Sequence, residues 1–492
     1  MPASGSHAIF PTDICRWPIA ARSAGAALLA ALALLGRAAL AQEAATRQPV
    51  PEPVIAALRS AAIPPAASAI VVLPLAPGGV TIEANESQPM NPASTMKLLT
   101  TYAALDLLGP AYTWRTEAFA TGALRRDVLE GNLVIRGSGD PKLVIESLWL
   151  MVQRIRGYGI REIRGDVVLD RSAFEPIAHE PGDFDGERFR PYNAGPDALL
   201  LNFKAVTLGF VPDPETRSAR VVAVPLLAGM KLPASVRGTD GPCVDWRGKL
   251  QADFADPMAP VFRGAYPLSC GEQLWHLSLL DHGRYFAAAF GALWNGAGGT
   301  WSGRMREGTV PADARRIALH ESAPLAEVIR DVNKFSNNVM ARQIYLTVGT
   351  DGGRQAASAA RAEAAIRAWL DSRGLAMPEL VLENGAGLSR AERISAGSLA
   401  RLLRHAFAGP LMPELMASLP LAGVDGTMRK RSGAAGAAHI KTGLLADVRA
   451  IAGYVDAASG RRYVVVAIIN HANARNGQAA HDALLQWVYA NG

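Results

Sequence analysis

The chemistry that this sequence could perform is most visible in one segment, Ser94-Thr95-Met96-Lys97. Apolar residues continue after it with a period near 3.6, through Tyr102 and Leu105, which predicts a helix that begins at Ser94. Residues three positions apart lie on one face of a helix, so the Lys97 ammonium can reach the Ser94 hydroxyl. A partly desolvated lysine with a lowered pKa can accept the proton of a serine nucleophile. The pair indicates nucleophilic catalysis, and the simpler alternative is a helix-capping serine beside a solvated lysine.

The position of each lysine is informative because lysine is rare in this chain. Lysine and arginine together number 50, and only eight of these residues are lysines. Lys97 is the one lysine with a serine three residues before it, and Lys441 is the one that begins a Lys-Thr-Gly segment. Two motifs that each contain a scarce residue are harder to attribute to chance than two motifs built on common residues.

Two further segments supply polar groups that a serine nucleophile needs around it. Ser336-Asn337-Asn338 lies between two helical patterns and places a hydroxyl and an amide side by side on a loop. Lys441-Thr442-Gly443 lies on a predicted strand, and its glycine leaves room for a ligand backbone to approach. Taken singly, the first segment fits a loop or a helix cap and the second fits a strand end. Their order along the chain, on helix, loop and strand, makes a chance origin harder to accept and favours a site built around a serine nucleophile.

The elements that would position these motifs come from both ends of the chain. A hairpin is predicted over 69–75 and 80–82, and three strands on short turns follow near the C-terminus, where they must pair antiparallel. Helices are predicted around and after the second motif. We therefore expect an α+β domain in which helices flank an antiparallel sheet. The predicted C-terminal strands cover 438–442, 448–455 and 462–469, and the predicted helices cover 286–294, 325–332, 337–348, 355–370, 398–407 and 479–489.

The middle third of the chain has a different texture. From 111 to 280, short alternating runs with many glycines and prolines predict a mainly β region with one helix over 144–155. A chain of 492 residues also exceeds what one compact core usually holds. We therefore expect a catalytic domain built from 42–110 and 281–492, with a mainly β insertion over 111–280 between the first and second motifs. Strands of the insertion are predicted over 131–136, 165–169, 199–210 and 221–227.

The N-terminus has the pattern of a secretory signal peptide. Arg16 and Arg22 precede an apolar run over 24–35, and Ala39-Leu40-Ala41 forms a small-x-small cleavage site. The run is short for a membrane span, although an uncleaved anchor remains an alternative. We expect a signal peptide over 1–41 and an exported, periplasmic protein, soluble or loosely membrane-associated. Because no other long uncharged segment follows, we expect no transmembrane anchor in the mature chain.

The cysteines and the charge limit the cofactors and partners. Cys243 and Cys270 would meet an oxidising compartment after export, where they either form a disulfide or remain two free thiols. Neither lies in a metal-binding spacing, so we expect no metal and no cofactor. The formal net charge of +6 comes from scattered arginines rather than a dense basic run, so we expect no nucleic-acid partner.

The three motifs in this order resemble those of the penicillin-interacting serine peptidases and the serine β-lactamases. The stretch from Ser94 to Ser336 is more than twice as long as that from Ser336 to Lys441. A compact β-lactamase has no room for such an insertion. The long-insert branch resembles the D-alanyl-D-alanine carboxypeptidase/endopeptidase family, the class C low-molecular-mass penicillin-binding proteins.

Three other segments are similar to that family. They are Gly139-Asp140-Pro141, the segment 384–390, and the segment 419–427. In segment 384–390 the family usually reads DGSGLSR, whereas this chain has Asn384 and Ala386, which puts the fine positioning of the loop in question. The resemblance implies that Arg390 faces the substrate and pairs with a carboxylate of a diaminopimelate side chain.

The resemblance also implies a reaction on peptidoglycan stem peptides that end in D-Ala-D-Ala. Ser94 would attack the penultimate carbonyl while Lys97 takes its proton. Ser336 would relay a proton to the leaving amine, and Asn338 would orient the substrate amide or Lys97. β-Lactam antibiotics, which mimic this substrate, would acylate the same serine and act as covalent inhibitors.

The Lys-Thr-Gly strand would bind the other end of the substrate in this scheme. Lys441 and Thr442 would hold the terminal carboxylate by charge-assisted hydrogen bonds. Gly443 would line the same strand, and the backbone N–H of Leu444 would join that of Ser94 in holding the oxyanion. Carboxypeptidase and endopeptidase cleavage use the same type of bond, so the sequence leaves both open. Two alternatives also remain, a β-lactamase or esterase of the same superfamily and a non-catalytic cell-wall binding protein.

Overall fold

The structure, a computed structural model, describes residues 45–492, so the predicted signal peptide lies outside the described residues. The α-helices are α1 (Glu52–Ser60), α2 (Lys97–Leu108), α3 (Ile145–Gly157), α4 (Trp246–Leu250), α5 (His282–Gly296), α6 (Leu325–Lys334), α7 (Asn338–Val348), α8 (Ala359–Ser372), α9 (Ala396–Ala408), α10 (Met412–Ser418) and α11 (Gln478–Asn491). The strands are β1 (Thr46–Arg47), β2 (Ser68–Pro74), β3 (Val80–Ala84), β4 (Pro89–Met90), β5 (Arg115–Ala120), β6 (Ala123–Arg125), β7 (Val128–Glu130), β8 (Leu133–Gly137), β9 (Glu162–Ile163), β10 (Val167–Asp170), β11 (Val206–Asp213), β12 (Ser218–Val224), β13 (Ser235–Thr239), β14 (Ala252–Asp253), β15 (Val261–Phe262), β16 (Tyr266–Pro267), β17 (Gln273–Leu277), β18 (Thr300–Trp301), β19 (Met305–Glu307), β20 (Arg315–Glu321), β21 (Ile394–Ser395), β22 (Ala438–Leu444), β23 (Val448–Asp456) and β24 (Arg462–Asn470).

A six-stranded sheet carries strands from both ends of the chain, in the order β1-β3-β2-β24-β23-β22. The four junctions from β3 to β22 are antiparallel, and β1 pairs with β3 in parallel. In this register Val71 lies opposite Val466, and Lys441 lies opposite Ala452. The strand that carries Lys441 is therefore the last strand of the sheet. Its outer edge pairs with residues 420–422 as far as Ile440, and no described strand borders that edge from Lys441 onward.

Helices cover both faces of this sheet, which explains why β24 is apolar along nearly its whole length. Its residues Val464 and Val466 belong to the core formed with α2 and α9. The residues between and after them, Val465 and Ala467, belong to the core formed with α1 and α11. The predicted α+β class, with helices flanking an antiparallel sheet, is confirmed.

The chain between α2 and α6 forms sheets and a core of its own. One five-stranded sheet has the order β19-β10-β8-β5-β20, a second has the order β16-β13-β12-β11-β17, and a four-stranded sheet has the order β18-β9-β7-β6. Their apolar faces share one core with α3 and α5, which includes Phe210 and Trp294. The insertion between the first and second motifs is thus mainly β.

The elements that follow residue 280 pack with the insertion as far as Glu321. Helix α5 directs Phe286 and Phe290 into the core of the insertion. Strand β20 pairs antiparallel with β5, with Glu321 opposite Arg115 and a bulge in the pairing. The end of the insertion is thus paired with its beginning. The predicted domain boundary at residue 280 lies before α5 and β20, although both elements pack with the insertion. The sequence pattern of a helix shows which of its faces is apolar, but it does not show which core that face contacts.

The predicted strand over 199–210 begins later than expected, at Val206. Residues Asn202, Phe203 and Lys204 all have left-handed backbone angles, with φ of 48°, 53° and 55°. Left-handed conformations are costly for residues other than glycine, so consecutive ones are rare. This turn interrupts the extended chain in a way that the alternating sequence pattern did not predict.

A disulfide joins Cys243 to Cys270 within the insertion, with an S–S distance of 2.01 Å. It ties the segment before α4 to the turn between β16 and β17. Of the two alternatives that the sequence left open, the structure therefore shows the bonded pair. Across residues 45–492, no helix is both long and apolar enough to cross a membrane.

Candidate active site

Ser94 lies in a short 3₁₀ turn, Ala93–Met96, that continues directly into α2. The residue before it, Ala93, has a left-handed φ of 46°. Asn91 holds this strained backbone, because its Oδ1 accepts the Ala93 N–H at 2.9 Å and its Nδ2 donates to the Ser389 carbonyl at 2.8 Å. The Asn470 side chain pairs in turn with the backbone of Asn91. The backbone at Ser94 is thus held by a residue of β24 and by a distant loop, a pattern common at functional sites.

Lys97 is fully buried, and its Nζ meets three oxygen atoms. Nζ lies 2.9 Å from Ser94 Oγ and 2.7 Å from Asn338 Oδ1, and it also bonds the Ala386 carbonyl. Burial, followed by the positive charge of Lys441, holds the pKa of Lys97 well below its ordinary value. In the neutral amine, the amide and carbonyl oxygens take the two N–H groups, so the lone pair faces the Ser94 hydroxyl. This geometry suits proton transfer from Ser94 to Lys97.

Lys441 is also fully buried, on the edge strand β22. Its Nζ lies 2.9 Å from Ser336 Oγ and 2.8 Å from the Thr442 carbonyl. Burial lowers the pKa of Lys441 to about 7, so its charge changes near neutral pH. Ser336 has a left-handed φ of 56°, a second strained position in the site. Lys441 therefore connects the second motif to the third.

The three residues of the second motif, Ser336, Asn337 and Asn338, make different contacts. Asn337 caps α7, since its Oδ1 accepts the Met340 N–H at 3.1 Å. Ser336 contacts Lys441, and Asn338 contacts Lys97. A helix cap was the simpler explanation of Ser336-Asn337-Asn338, and this cap is formed by Asn337. The outer two face the buried lysines.

Alternate backbone N–H groups of β22 point away from β23, toward the outer edge of the sheet. The Ile440 N–H donates to the Pro420 carbonyl on this side at 2.8 Å. Because donors alternate along a strand, the N–H groups of Thr442 and Leu444 point to the same side. The Thr442 hydroxyl lies 2.8 Å from that of Thr427. The edge thus offers a row of donors next to the two lysines.

Gly443 allows the edge strand to cross closely over the 3₁₀ turn Ala93–Met96. We call this segment the nucleophile turn because it carries Ser94, the proposed nucleophile. A Cβ atom on Gly443 would lie 2.7 Å from the Pro92 carbonyl oxygen and 3.1 Å from the Ser94 nitrogen. The sequence alone suggested that this glycine leaves room for an approaching ligand. In the structure the space is taken by the turn of the protein itself, which brings Leu444 close to Ser94.

The glycine-rich loop over 384–390 closes the site behind Lys97. Gly387 has a φ of 73°, and a Cβ on it would lie 1.9 Å from the Ala93 carbonyl oxygen. Asn384 stands where the family usually has Asp, and its Oδ1 accepts the Ala386 N–H at 2.9 Å, as a carboxylate oxygen could. The Ala386 side chain is buried, and its carbonyl bonds Lys97. The two departures are therefore compatible with a well-held loop.

Glu392 is a buried residue of the site that the sequence analysis missed. One of its oxygens accepts the N–H groups of Glu383, Asn384 and Gly385 at 3.2, 3.0 and 2.9 Å. The other oxygen has no hydrogen-bond partner among the described residues. Burial raises the pKa of Glu392, and its negative charge favours the charged form of Lys97. No spacing in the sequence distinguishes it from a surface glutamate.

Arg390 lies apart from the two lysines, at the edge of a cavity of about 880 Å³. Its Nη1 donates to Asp447 at 3.2 Å, and its guanidinium lies 4.9 Å from the ring centre of Phe184, which belongs to the insertion. Its side chain is 56% exposed. The position leaves the guanidinium accessible to a ligand, although no polar contact joins Arg390 to Ser94 or to either lysine.

The structure brings five of the predicted residues into one cluster: Ser94, Lys97, Ser336, Asn338 and Lys441. Thr442, Gly443 and Leu444 flank it on the edge strand. No group of three or more His, Cys, Asp or Glu side chains that could hold a metal ion occurs within residues 45–492. Sequence reasoning missed Asn91 and Glu392, and it did not identify the Ala386 carbonyl as a ligand of Lys97.

Comparisons with known proteins identify the family of this chain. The family model described as the D-Ala-D-Ala carboxypeptidase 3 (S13) family matches residues 52–490. The chain is 29% identical over 457 residues to the D-alanyl-D-alanine carboxypeptidase of an Actinomadura species, which covers 87% of this chain and 81% of that protein. It is 24% identical over 391 residues to the D-alanyl-D-alanine carboxypeptidase DacB of Haemophilus influenzae, which covers 78% of this chain and 81% of that protein.

A solved structure shares the fold. Penicillin binding protein 4 (dacB) from Haemophilus influenzae has a TM-score of 0.72 at 22% identity, over 86% of this chain and 96% of that chain. The same protein in complex with a β-lactam has a TM-score of 0.69 at 21% identity, with the same two coverages. Because the family model spans nearly the whole described chain, the chain belongs to the D-Ala-D-Ala carboxypeptidase 3 (S13) family and is a serine DD-peptidase, as the order of its motifs predicted.

Proposed function

We propose that this DD-peptidase hydrolyses D-Ala-D-Ala termini and D-Ala-diaminopimelate crosslinks of peptidoglycan through an acyl-enzyme on Ser94. The observation that carries the proposal is the position of the Lys97 amine. It is fully buried, lies 2.9 Å from Ser94 Oγ, and has both an amide oxygen and a carbonyl oxygen as further partners. A lysine held in this way acts as the general base of the first step.

In the acylation step, Ser94 Oγ attacks the carbonyl carbon of the penultimate D-Ala, and its proton passes to Lys97. The negative charge that develops on the carbonyl oxygen is held by the backbone N–H groups of Ser94 and Leu444. The closeness of β22 to the nucleophile turn at Gly443 supports this pairing. Loss of one such donor typically costs about 10²–10³ in rate.

Breakdown of the tetrahedral intermediate needs a proton on the leaving amine. The proton that Lys97 took from Ser94 reaches the amine through the Ser336 hydroxyl, which gives its own proton to the nitrogen as it takes that one up, so Lys97 becomes neutral again. Lys441 Nζ holds this hydroxyl at 2.9 Å. Lys441 and Thr442 hold the carboxylate of the leaving residue at the edge of β22. The C–N bond breaks as the proton arrives. Water then attacks the ester carbonyl and gives a proton to Lys97, which returns it to Ser94 Oγ as the ester bond breaks.

The proposal extends to compartment, inhibitors and domain boundaries. We infer that a signal peptide over 1–41 directs the protein to the periplasm, and that β-lactams acylate Ser94. The relative from Haemophilus influenzae has been crystallised with a β-lactam, which supports the second point. Strand pairing supports an insertion that runs from Arg115 to Glu321, with the catalytic domain formed by the residues on either side.

Digestion of crosslinked and uncrosslinked muropeptides tests the proposed reaction. The mature protein, a Ser94→Ala variant and a Ser432→Ala variant are incubated with each substrate, and product masses identify the bond that is cut. Ser432 is exposed and serves as the matched control. We expect cleavage by the wild type and the control and none by Ser94→Ala. Cleavage by Ser94→Ala would refute the assignment of the nucleophile.

Treatment of the same proteins with penicillin distinguishes the two alternatives, a β-lactamase or esterase and a non-catalytic cell-wall binding protein. A penicillin adduct that is lost within seconds would favour a β-lactamase. Absence of both an adduct and peptide cleavage in the wild type would favour a non-catalytic cell-wall binding protein.

A further inference from the structure

A second cavity, of about 450 Å³, adjoins the catalytic cluster on the side of Ser336 and Asn338. One wall is the second-motif loop, which includes the 69% exposed ring of Phe335. The opposite wall comes from the insertion and includes Arg190 and Arg247. None of the described residues that line this cavity is acidic. A pocket with two arginines, aromatic rings and no carboxylate is suited to an anionic guest.

Arg247 has the features of a ligand-binding arginine. Within residues 45–492 it makes neither an ion pair nor a side-chain hydrogen bond, and its Nε is buried without a partner. Its guanidinium lies 5.1 Å from the ring centre of Trp246 and 5.6 Å from that of Trp275. The nearby carboxylate of Glu187 already pairs with Arg190 at 3.1 Å. Two tryptophans therefore position a guanidinium whose two Nη groups remain free for another molecule.

A strained turn supports the same cavity. Phe203, which lines it, is the middle residue of the left-handed turn over 202–204, with φ of 53°. The Asn202 side chain holds this turn, donating to the Ala205 carbonyl and to the Tyr285 hydroxyl, each at 3.1 Å. Strain of this kind persists only where the surrounding structure enforces it, and it concentrates at binding sites. The cavity is thus a built feature rather than an accidental gap between two domains.

The location of the cavity identifies which part of a substrate would reach it. In the proposed function, Ser336 delivers a proton to the leaving amine, so the cavity lies on the leaving-group side. A leaving D-Ala ends at the carboxylate held by Lys441 and Thr442. A crosslink continues past that point into a second stem peptide, which carries further carboxylates.

We propose that Arg247 binds a carboxylate of the second stem peptide and so makes the enzyme select crosslinked substrates. The inference rests on the proposed function, and it adds a specificity residue on the inserted domain. It predicts that Arg247 contributes to binding of a crosslinked dimer and contributes little to binding of an uncrosslinked pentapeptide.

Binding to an inactive enzyme tests this assignment without turnover. In a Ser94→Ala background of the full mature chain, Kd values are measured by calorimetry for a crosslinked muropeptide dimer and for an uncrosslinked pentapeptide. Arg247→Gln is compared with Arg237→Gln, an exposed arginine of the insertion outside the cavity. We expect Arg247→Gln to weaken dimer binding about 10- to 100-fold, the usual effect of losing a charged hydrogen bond. Arg247→Lys, which keeps the charge, should retain part of the affinity even if the glutamine variant folds poorly.

The outcomes separate this inference from the proposed function. Equal losses on both ligands would overturn it, because Arg247 would then act on the first stem or on the fold. Unchanged dimer binding in Arg247→Gln would overturn it as well. Failure of the proposed function would be seen elsewhere, as the absence of a penicillin adduct on the enzyme that retains Ser94.

Discussion

Substitution of Gly443 by alanine tests how closely the edge strand and the nucleophile turn are packed. The new Cβ would lie 2.7 Å from the Pro92 carbonyl oxygen, about 0.7 Å inside ordinary van der Waals contact. The three atoms nearest the new Cβ, which include the Ala93 Cβ at 3.1 Å, belong to the backbone or to a short side chain, so the overlap is relieved only by moving the strand or the turn. Either movement changes the distance between the Leu444 N–H and Ser94.

The expected loss follows from that displacement. A misplacement near 1 Å costs about 10²-fold in rate, so a shift of several tenths of an ångström should lower the acylation rate about 10- to 100-fold. Overpacking should also reduce the free energy of unfolding by about 1–3 kcal/mol. The second-order rate constant for acylation by benzylpenicillin is measured by quenched-flow mass spectrometry, and stability is measured by denaturant unfolding.

Gly296→Ala is the matched control for this experiment. Gly296 is exposed at the end of α5, and a Cβ there would meet nothing within 4 Å. We expect this variant to acylate as the wild type does, with equal or slightly higher stability. If Gly443→Ala also acylates within about threefold of the wild type, the reasoning that this contact positions the oxyanion donors is wrong.

Three further predictions concern the two lysines and the disulfide. Asn338→Ala removes an acceptor from the buried Lys97 amine and should lower acylation about 10- to 100-fold, measured with the same penicillin assay; a rate equal to wild type would contradict the role of the amide. The pKa of Lys441 is lowered to about 7, and only its charged form binds a carboxylate, so kcat/KM for D-Ala-D-Ala peptides should fall as the pH rises above that value. Lys441→Arg, which keeps its charge, should shift this fall to higher pH, and an unshifted profile would exclude Lys441 as its origin. Reduction of the disulfide between Cys243 and Cys270, which are 27 residues apart, should destabilise the insertion by about 3 kcal/mol while penicillin acylation in the folded protein persists; loss of acylation without unfolding would show that the bond supports the site directly.

The five residues of the cluster could be proposed from the sequence because they lie in short motifs with fixed local geometry. Ser94 and Lys97 are one helical turn apart, and Lys441 begins a Lys-Thr-Gly segment on a predicted C-terminal strand. The three C-terminal strands and the hairpin were predicted for the same reason, since alternation and short turns determine their pairing.

Other features depend on contacts between distant segments and were not predictable from one sequence. Glu392 is part of the site only because the glycine loop folds over its carboxylate. Gly443 is required by the backbone of the nucleophile turn rather than by a ligand. Helix α5 has an ordinary amphipathic pattern, which does not reveal that its apolar face meets the insertion instead of the catalytic domain. In each case the partner lies far away in the chain.

The most direct test of the central claim is the site at which penicillin becomes attached. The mature protein is treated with benzylpenicillin, quenched in acid, digested, and mapped by tandem mass spectrometry. If Ser94 is the nucleophile and Lys97 its base, we expect a single penicilloyl adduct on the peptide that contains Ser94, and no adduct in Lys97→Met. An adduct on any other serine, or one that forms at the wild-type rate in Lys97→Met, would contradict this assignment.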